Sequence, residues 1–184
     1  MTSALVIIDI QNDYFPGGAM ALEGTDAAAA NAARLLADFR ARGLPVFHVQ
    51  HLMKRANAGF LLPGTPGAQI HTSVVPAADE PVVIKHFPNS FRDTGLLERL
   101  RAAGATRLVV AGMMTHMCVD TTVRAAFDLG FEIMLAHDAC ATRALTFGGT
   151  RVPAAEVHAA YVAALHGIFA QAASTTALLD RMPP

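Results

Sequence analysis

With 184 residues, 53% of them hydrophobic and 16% charged, the chain has material for one well-packed domain and no compositional reason for disorder. Its formal net charge is −1, from 14 basic and 15 acidic residues spread along the sequence. No basic block is present to neutralise a run of phosphates, so nucleic acid is not an expected partner. Two cysteines, Cys118 and Cys140, are too few for a disulfide framework and point to a reducing, cytoplasmic setting.

The chain opens with an apolar run that has no basic leader and soon meets Asp9, which reads as a buried strand and not as a signal peptide or membrane span. Residues 25–42 follow as a helix that Thr25 or Asp26 can cap, with Gly43 where the chain must leave it. The runs Pro45–Gln50, Pro81–Lys85 and Arg107–Ala111 are nearly continuously apolar, as strands covered on both faces are; Phe131–Ala136 is less so. Between the second and third of these strands, residues 51–80 hold several Pro and Gly and no sustained period. So long an irregular insertion in a compact domain often shapes a binding site.

Thr94–Ala103 is a helix closed by Gly104, and a second runs from about Met117 to Leu129, closed by Gly130. Arg143–Val152, with Phe147-Gly-Gly149, is irregular and has the makings of a mobile lid. Pro153 opens a last long helix ending before Gly167, and Phe169–Ala173 can add a final strand. Alternation of strand and helix of this kind gives an α/β fold, a mostly parallel sheet with helices on both faces, because parallel neighbours need long crossovers.

In such a sheet ligands bind beyond the carboxyl ends of the strands, best where the strand order reverses. Three polar residues sit at such ends. Asp9 closes an apolar run in which a lone carboxylate is costly, Lys85 closes another, and Cys118 lies just past the fourth strand near the start of a helix. Free N–H groups and the positive helix end there favour a thiolate. A carboxylate can take the thiol proton, an ammonium can hold both anions, and the helix-start amides can meet an oxyanion. Taken singly, each has a plainer reading: a loop-holding Asp, a snorkelling Lys, a small buried Cys. The buried-hydrophobe reading is the one expected for Cys140.

Four segments together resemble the isochorismatase-like cysteine hydrolases: Leu5-Val-Ile-Ile-Asp-Ile-Gln-Asn-Asp-Tyr-Phe15, Lys85-His-Phe-Pro-Asn-Ser-Phe-Arg-Asp-Thr-Gly-Leu96, Gly112-Met-Met-Thr-His-Met-Cys-Val-Asp-Thr-Thr-Val-Arg-Ala-Ala126 and Ala136-His-Asp-Ala-Cys-Ala-Thr142. The resemblance spans essentially the whole chain. It implies one domain over residues 1–184, a three-layer α/β/α sandwich with a six-stranded parallel sheet in the order 3-2-1-4-5-6. It also implies Asp9, Lys85 and Cys118 as catalytic residues, and a cis peptide at Met113–Met114 that turns the Met114 N–H toward an oxyanion alongside that of Cys118. Thr115 is expected to fix that loop through its hydroxyl.

The presence of Cys118 argues for amide, carbamoyl or lactam-like C–N hydrolysis and against the vinyl ether cleavage of isochorismatases proper. The Asp-x-His pair of metal-dependent nicotinamidases is missing from His48-Val-Gln-His-Leu-Met53. His48, His51 and His71 could in principle gather a metal, but core or hydrogen-bonding roles are expected of them. No metal or cofactor is therefore implied. The pocket wall is expected from Tyr14, Phe15, His51, Asn57, Phe60, His86, Phe87 and His116 around a small-molecule substrate. Relatives that are nicotinamidases, isochorismatases or non-catalytic members of the fold are the alternatives. The family's habit and the apolar last helix suggest a homo-oligomer, a dimer or tetramer.

Overall fold

The computed structural model describes residues 2–55 and 57–181. Six parallel strands form its main sheet: β1 (Thr2–Ile8), β2 (Val46–His51), β3 (Val82–Lys85), β4 (Ala105–Met113), β5 (Glu132–Ala141) and, after a hairpin that takes two numbers, β8 (Gln171–Ala173). Their order is β3-β2-β1-β4-β5-β8, so the chain reverses its direction of travel between β1 and β4. The helices are α1 (Thr25–Ala41), α2 (Leu96–Ala102), α3 (Asp120–Asp128), α4 (Ala154–Leu165) and α5 (Thr175–Arg181).

The period-2 alternation of strand side chains divides the core into two layers. On β1, Leu5 and Ile7 join a cluster with Ala32, Leu35, Phe39 of α1 and Leu178 of α5. Ala4, Val6 and Ile8 face the other way, into a cluster with Leu100 of α2 and Val119, Val123 and Ala126 around α3. Leu5 to Ile8 are all buried, which is why this strand reads as unbroken apolar sequence. β3 differs: as an edge strand it alternates, with Val83 and Lys85 buried and Val82 and Ile84 each 39% exposed. The expectation that it is covered on both faces is corrected here: at this edge of the sheet one face is left partly open to solvent.

Several local expectations also change. Helix α1 is preceded by Gly24 in the left-handed region, with no side-chain cap, and Thr25 is already its first, buried residue. The helix expected from Met117 is instead a π-helical turn, Thr115–Val119, running into α3. The stretch from Arg143 is ordered as a hairpin, β6 (Leu145–Phe147) and β7 (Thr150–Val152). Its two-residue turn, Gly148-Gly149, has positive φ at both positions, the geometry that matches strand twist and that glycine adopts without a Cβ clash. Helix α5, which no sequence feature announced, is held by Asp138, whose Oδ1 accepts from the Thr175 N–H at 2.7 Å and hydroxyl at 2.8 Å.

The long insertion is tied down in two places. Arg40 on α1 makes a two-pronged pair with Glu80, 2.7 and 2.8 Å, and Glu80 also accepts from His48 Nε2 at 2.8 Å and from the Ala77 N–H at 2.9 Å. These bonds, Arg40 foremost and against the opposing effect of burial, hold the Glu80 carboxyl down to about 2 from 4.5. A carboxyl depressed on folding stabilises the protein above its unfolded pKa and loses that contribution as pH falls through its folded one. Replacing Glu80 with Gln should cost about 1–3 kcal/mol at neutral pH by leaving hydrogen-bond partners unsatisfied. Denaturant titrations of both proteins should show this gap closing between pH 4.5 and about 2; a constant gap would mean that Glu80 acts by packing alone.

Candidate active site

The site lies at the carboxyl ends of β1, β3 and β4. Register places Ile8 beside Val49 of β2 and Gly112 of β4, and His51 beside Lys85. Gly112 is indispensable to that layout: its φ is 141°, and a Cβ there would stand 2.0 Å from the Ile8 carbonyl oxygen. The close backbone approach brings the end of β1 against the loop that carries Cys118. Asp9, the next residue, adopts a left-handed φ of 51°, an uncommon conformation that Asp tolerates better than most residues. The Met113–Met114 peptide is cis.

Asp9 and Lys85 are both fully buried, and Lys85 Nζ lies 2.6 Å from Asp9 Oδ2. The same ammonium donates to His51 Nδ1 at 2.8 Å, to Cys118 Sγ at 3.1 Å and to the Phe87 carbonyl at 3.2 Å. β3 is two strands away from β1, and strands are about 4.8 Å apart. Only a long side chain from the edge strand can cross over β2 and bring its charge to the end of β1.

Burial pushes the Asp9 carboxyl up from its ordinary value, against the pull of Lys85. Burial pushes Lys85 down, but the Asp9 carboxylate and the neighbouring sulfur more than offset this and leave it raised, hence charged. Burial first, then the Asp9 charge, raises the Cys118 thiol, and Lys85 offsets only part of that. Cys118 is 3% exposed and belongs to a π-helical turn, and its burial beside the Asp9 carboxylate favours the thiol over the thiolate.

A cavity of about 450 Å³ opens onto Cys118, a size that suits a small organic ligand. Tyr14, His51, Phe60, His86 and Phe87 line it as expected. Phe15, Asn57 and His116 are not among its lining residues. Phe15 is buried and stacks on His71, with centroids 3.6 Å apart; Asn57 is exposed; and His116 turns away to Thr142 Oγ1 at 2.5 Å and to the edge of Tyr161. Sequence reasoning missed the walls made by Met20, Met53, Leu61, Pro88 and Met117, and the cations Lys54, Arg55 and Arg143. Thr115 is anchored by its hydroxyl, 3.0 Å from His158 Nδ1 on α4.

Two buried polar residues in the first block, Gln11 and Asp13, shape the cavity without entering it. Gln11 donates to the carbonyls of His51 and Ala68, 2.9 and 2.7 Å, and accepts from the His51 N–H at 2.8 Å. Asp13 accepts from the Leu61 N–H at 2.6 Å and the Ala19 N–H at 3.2 Å. Both fasten the insertion against the start of the chain. The signal was in the sequence: a polar stretch, Gln11-Asn12-Asp13, between the apolar first strand and Tyr14-Phe15.

His48, His51 and His71 do not converge, since each is engaged elsewhere. The one group of potential metal ligands among the described residues is Asp9, His51 and Cys118, with ligand atoms within 4.8 Å of one another. Lys85 Nζ already sits 2.6, 2.8 and 3.1 Å from these three side chains. A second cation there would meet direct repulsion, so the residues do not fit a metal.

The isochorismatase domain model matches residues 3–176. The isochorismatase family protein YddQ of Bacillus subtilis is 51% identical over 179 residues, 97% of this chain and 99% of its own length. A streptothricin hydrolase of Streptomyces noursei is 40% identical over 76% of this chain, which matches about half, 49%, of that longer protein. Among solved structures, one from Oleispira antarctica described as an isochorismatase hydrolase superposes with a TM-score of 0.94 at 52% identity, covering 97% of this chain and 96% of that one.

The thiol's surroundings make a kinetic prediction. Alkylation of Cys118 by iodoacetamide should be slow at neutral pH and keep rising through pH 9, the ordinary thiol midpoint. Asp9→Asn, which removes the adjacent negative charge and leaves Lys85 to the sulfur, should speed it at any given pH. Rapid labelling that has already levelled off at pH 7 would show a resting thiolate instead.

Proposed function

This chain belongs to the isochorismatase family of hydrolases, and from that premise we propose that it hydrolyses a C–N bond of a small amide, carbamoyl or lactam-like compound through an acyl-enzyme on Cys118. One observation carries the reading: a single buried ammonium touches both the Asp9 carboxylate, at 2.6 Å, and the Cys118 sulfur, at 3.1 Å, and Cys118 lines a ligand-sized cavity. The streptothricin hydrolase relative supports amide-type chemistry.

The steps follow from the charges. As Sγ attacks the substrate carbonyl, its proton passes to Asp9, whose raised pKa makes it a better acceptor than an ordinary aspartate. Lys85 stabilises the negative charge as it moves from carboxylate to sulfur, without itself losing a proton. The backbone N–H groups of Met114 and Cys118 stabilise the tetrahedral oxyanion. Collapse of that intermediate breaks the C–N bond, and Asp9 returns its proton to the leaving nitrogen. Asp9 then takes a proton from water, whose oxygen attacks the thioester and releases the acid and the free thiol.

This reading includes a small-molecule substrate and a reducing, cytoplasmic setting that leaves the thiol free. It also includes a homo-oligomer, supported by the exposed alanine face of α4 and by Phe147 and Ile168, which are 89% and 69% exposed.

A panel of primary amides and N-carbamoyl compounds, followed by ammonia release, tests the reading. Cys118→Ala should abolish turnover and leave the melting temperature nearly unchanged; retained ammonia release by that variant would falsify the mechanism. Lys85→Ala should lower kcat/KM by about 10²–10⁴-fold. It should also destabilise the fold by about 3–5 kcal/mol, because a buried carboxylate loses its partner, so stability and rate need to be measured together.

A further inference from the structure

The two nitrogens of His51 stand in different circumstances. Nδ1 lies 2.8 Å from Lys85 Nζ. An ammonium only donates, so Nδ1 accepts, and the proton of the neutral ring is on Nε2. Burial, with the charges of Lys85 and His86, holds the imidazole down to about 3, so the ring is neutral over the working range of pH. The tautomer is therefore set by the catalytic lysine. Nε2 is sealed from bulk solvent and has no hydrogen-bond partner among the described residues. The residue is 6% exposed and lines the cavity. A buried N–H without an acceptor is costly, and a ligand that supplies the acceptor recovers that cost.

The charges around the cavity say which acceptor fits. Lys54, Arg55 and Arg143 line it, and no Asp or Glu does. Lys54 lies 5.7 Å from the Phe87 ring centroid. Arg143 has no hydrogen bond or ion pair among the described residues. Apart from Tyr14, His51, His86 and Cys118, the remaining wall is apolar, with Phe60, Phe87 and Met53 prominent.

We propose that His51 contacts substrate directly, donating from Nε2 to an oxygen of its acyl part, and that His51 and Arg143 together select small amides that carry a carboxylate. The assignment rests on the amide-hydrolase reading of the same site. It gives His51 a role in specificity distinct from proton transfer: the ring cannot act as a base at Nδ1, which Lys85 occupies, and serves as a fixed donor at Nε2.

The test is calorimetric titration of Cys118→Ala protein, which cannot turn over, with succinamate and with its neutral diamide counterpart, succinamide. Succinamate should bind at least about tenfold more tightly, the scale of one charge-assisted hydrogen bond. Adding Arg143→Ala or His51→Phe should erase most of that preference. Adding His51→Gln, whose amide can accept from Lys85 and still offer an N–H, should retain it, which separates loss of the donor from loss of the fold. Equal affinity for the two probes, absence of binding by both at millimolar concentration, or a preference that survives both Arg143→Ala and His51→Phe would overturn the assignment. Failure of the wild type to hydrolyse any amide would count against the parent reading alone, because these titrations do not depend on turnover.

Discussion

The site is organised by a buried ion pair, Asp9 with Lys85, both without solvent exposure. Two charges removed from water lose several kcal/mol of hydration each, and close contact with further hydrogen bonds is needed to offset it. That requirement explains much of the surrounding structure. It explains why the lysine is on an edge strand with a stem long enough to cross β2. The ammonium's three hydrogens serve four neighbours, among them a histidine ring nitrogen and a backbone carbonyl. The Cys118 sulfur is one of the four, so an arrangement needed to keep the charges buried also sets a positive charge against the thiol.

Burial and charge oppose one another at each member of this group, and the outcome differs from one to the next. For Lys85 the neighbouring negative groups win and the amine stays charged. For Asp9 burial wins and the carboxyl becomes easier to protonate. For Cys118 burial and the adjacent carboxylate act in the same direction and keep the proton on sulfur. The result is a thiol next to a carboxyl that takes a proton more readily than usual, with a fixed positive charge beside both.

Much of this was legible in the sequence. Unbroken apolar strands ending in Asp9 and Lys85, and a Cys just past a fourth strand, marked the sheet and the side chains that meet at its centre, because burial and strand-end placement leave marks in residue order. Helix α5 and the short β8 left weaker marks: they are short and are held by neighbours distant in sequence, Asp138 and the core for α5 and the β5 ladder for β8. The cavity was half legible. Aromatic residues in the irregular insertion suggested a wall, and Tyr14, Phe60 and Phe87 are in it; Phe15 and His116 pack elsewhere because each found a closer partner in His71 or Thr142. Arg143 was not legible, since its position at the cavity depends on how the hairpin leaves β5. Helix position, which favours a thiolate, is visible in sequence; the depth of burial that pushes the Cys118 thiol up is not.

Gly112 carries a practical consequence. A Cβ at Gly112 would collide with the Ile8 backbone, so the approach of the two central strands depends on a residue with no side chain. Libraries meant to broaden substrate scope can vary the cavity wall freely, but a codon at this position that encodes any other amino acid should yield inactive clones whatever else the library changes. Depletion of all nineteen alternatives there, in a selection for activity, would make this position an internal reference against which tolerance at the wall is scaled.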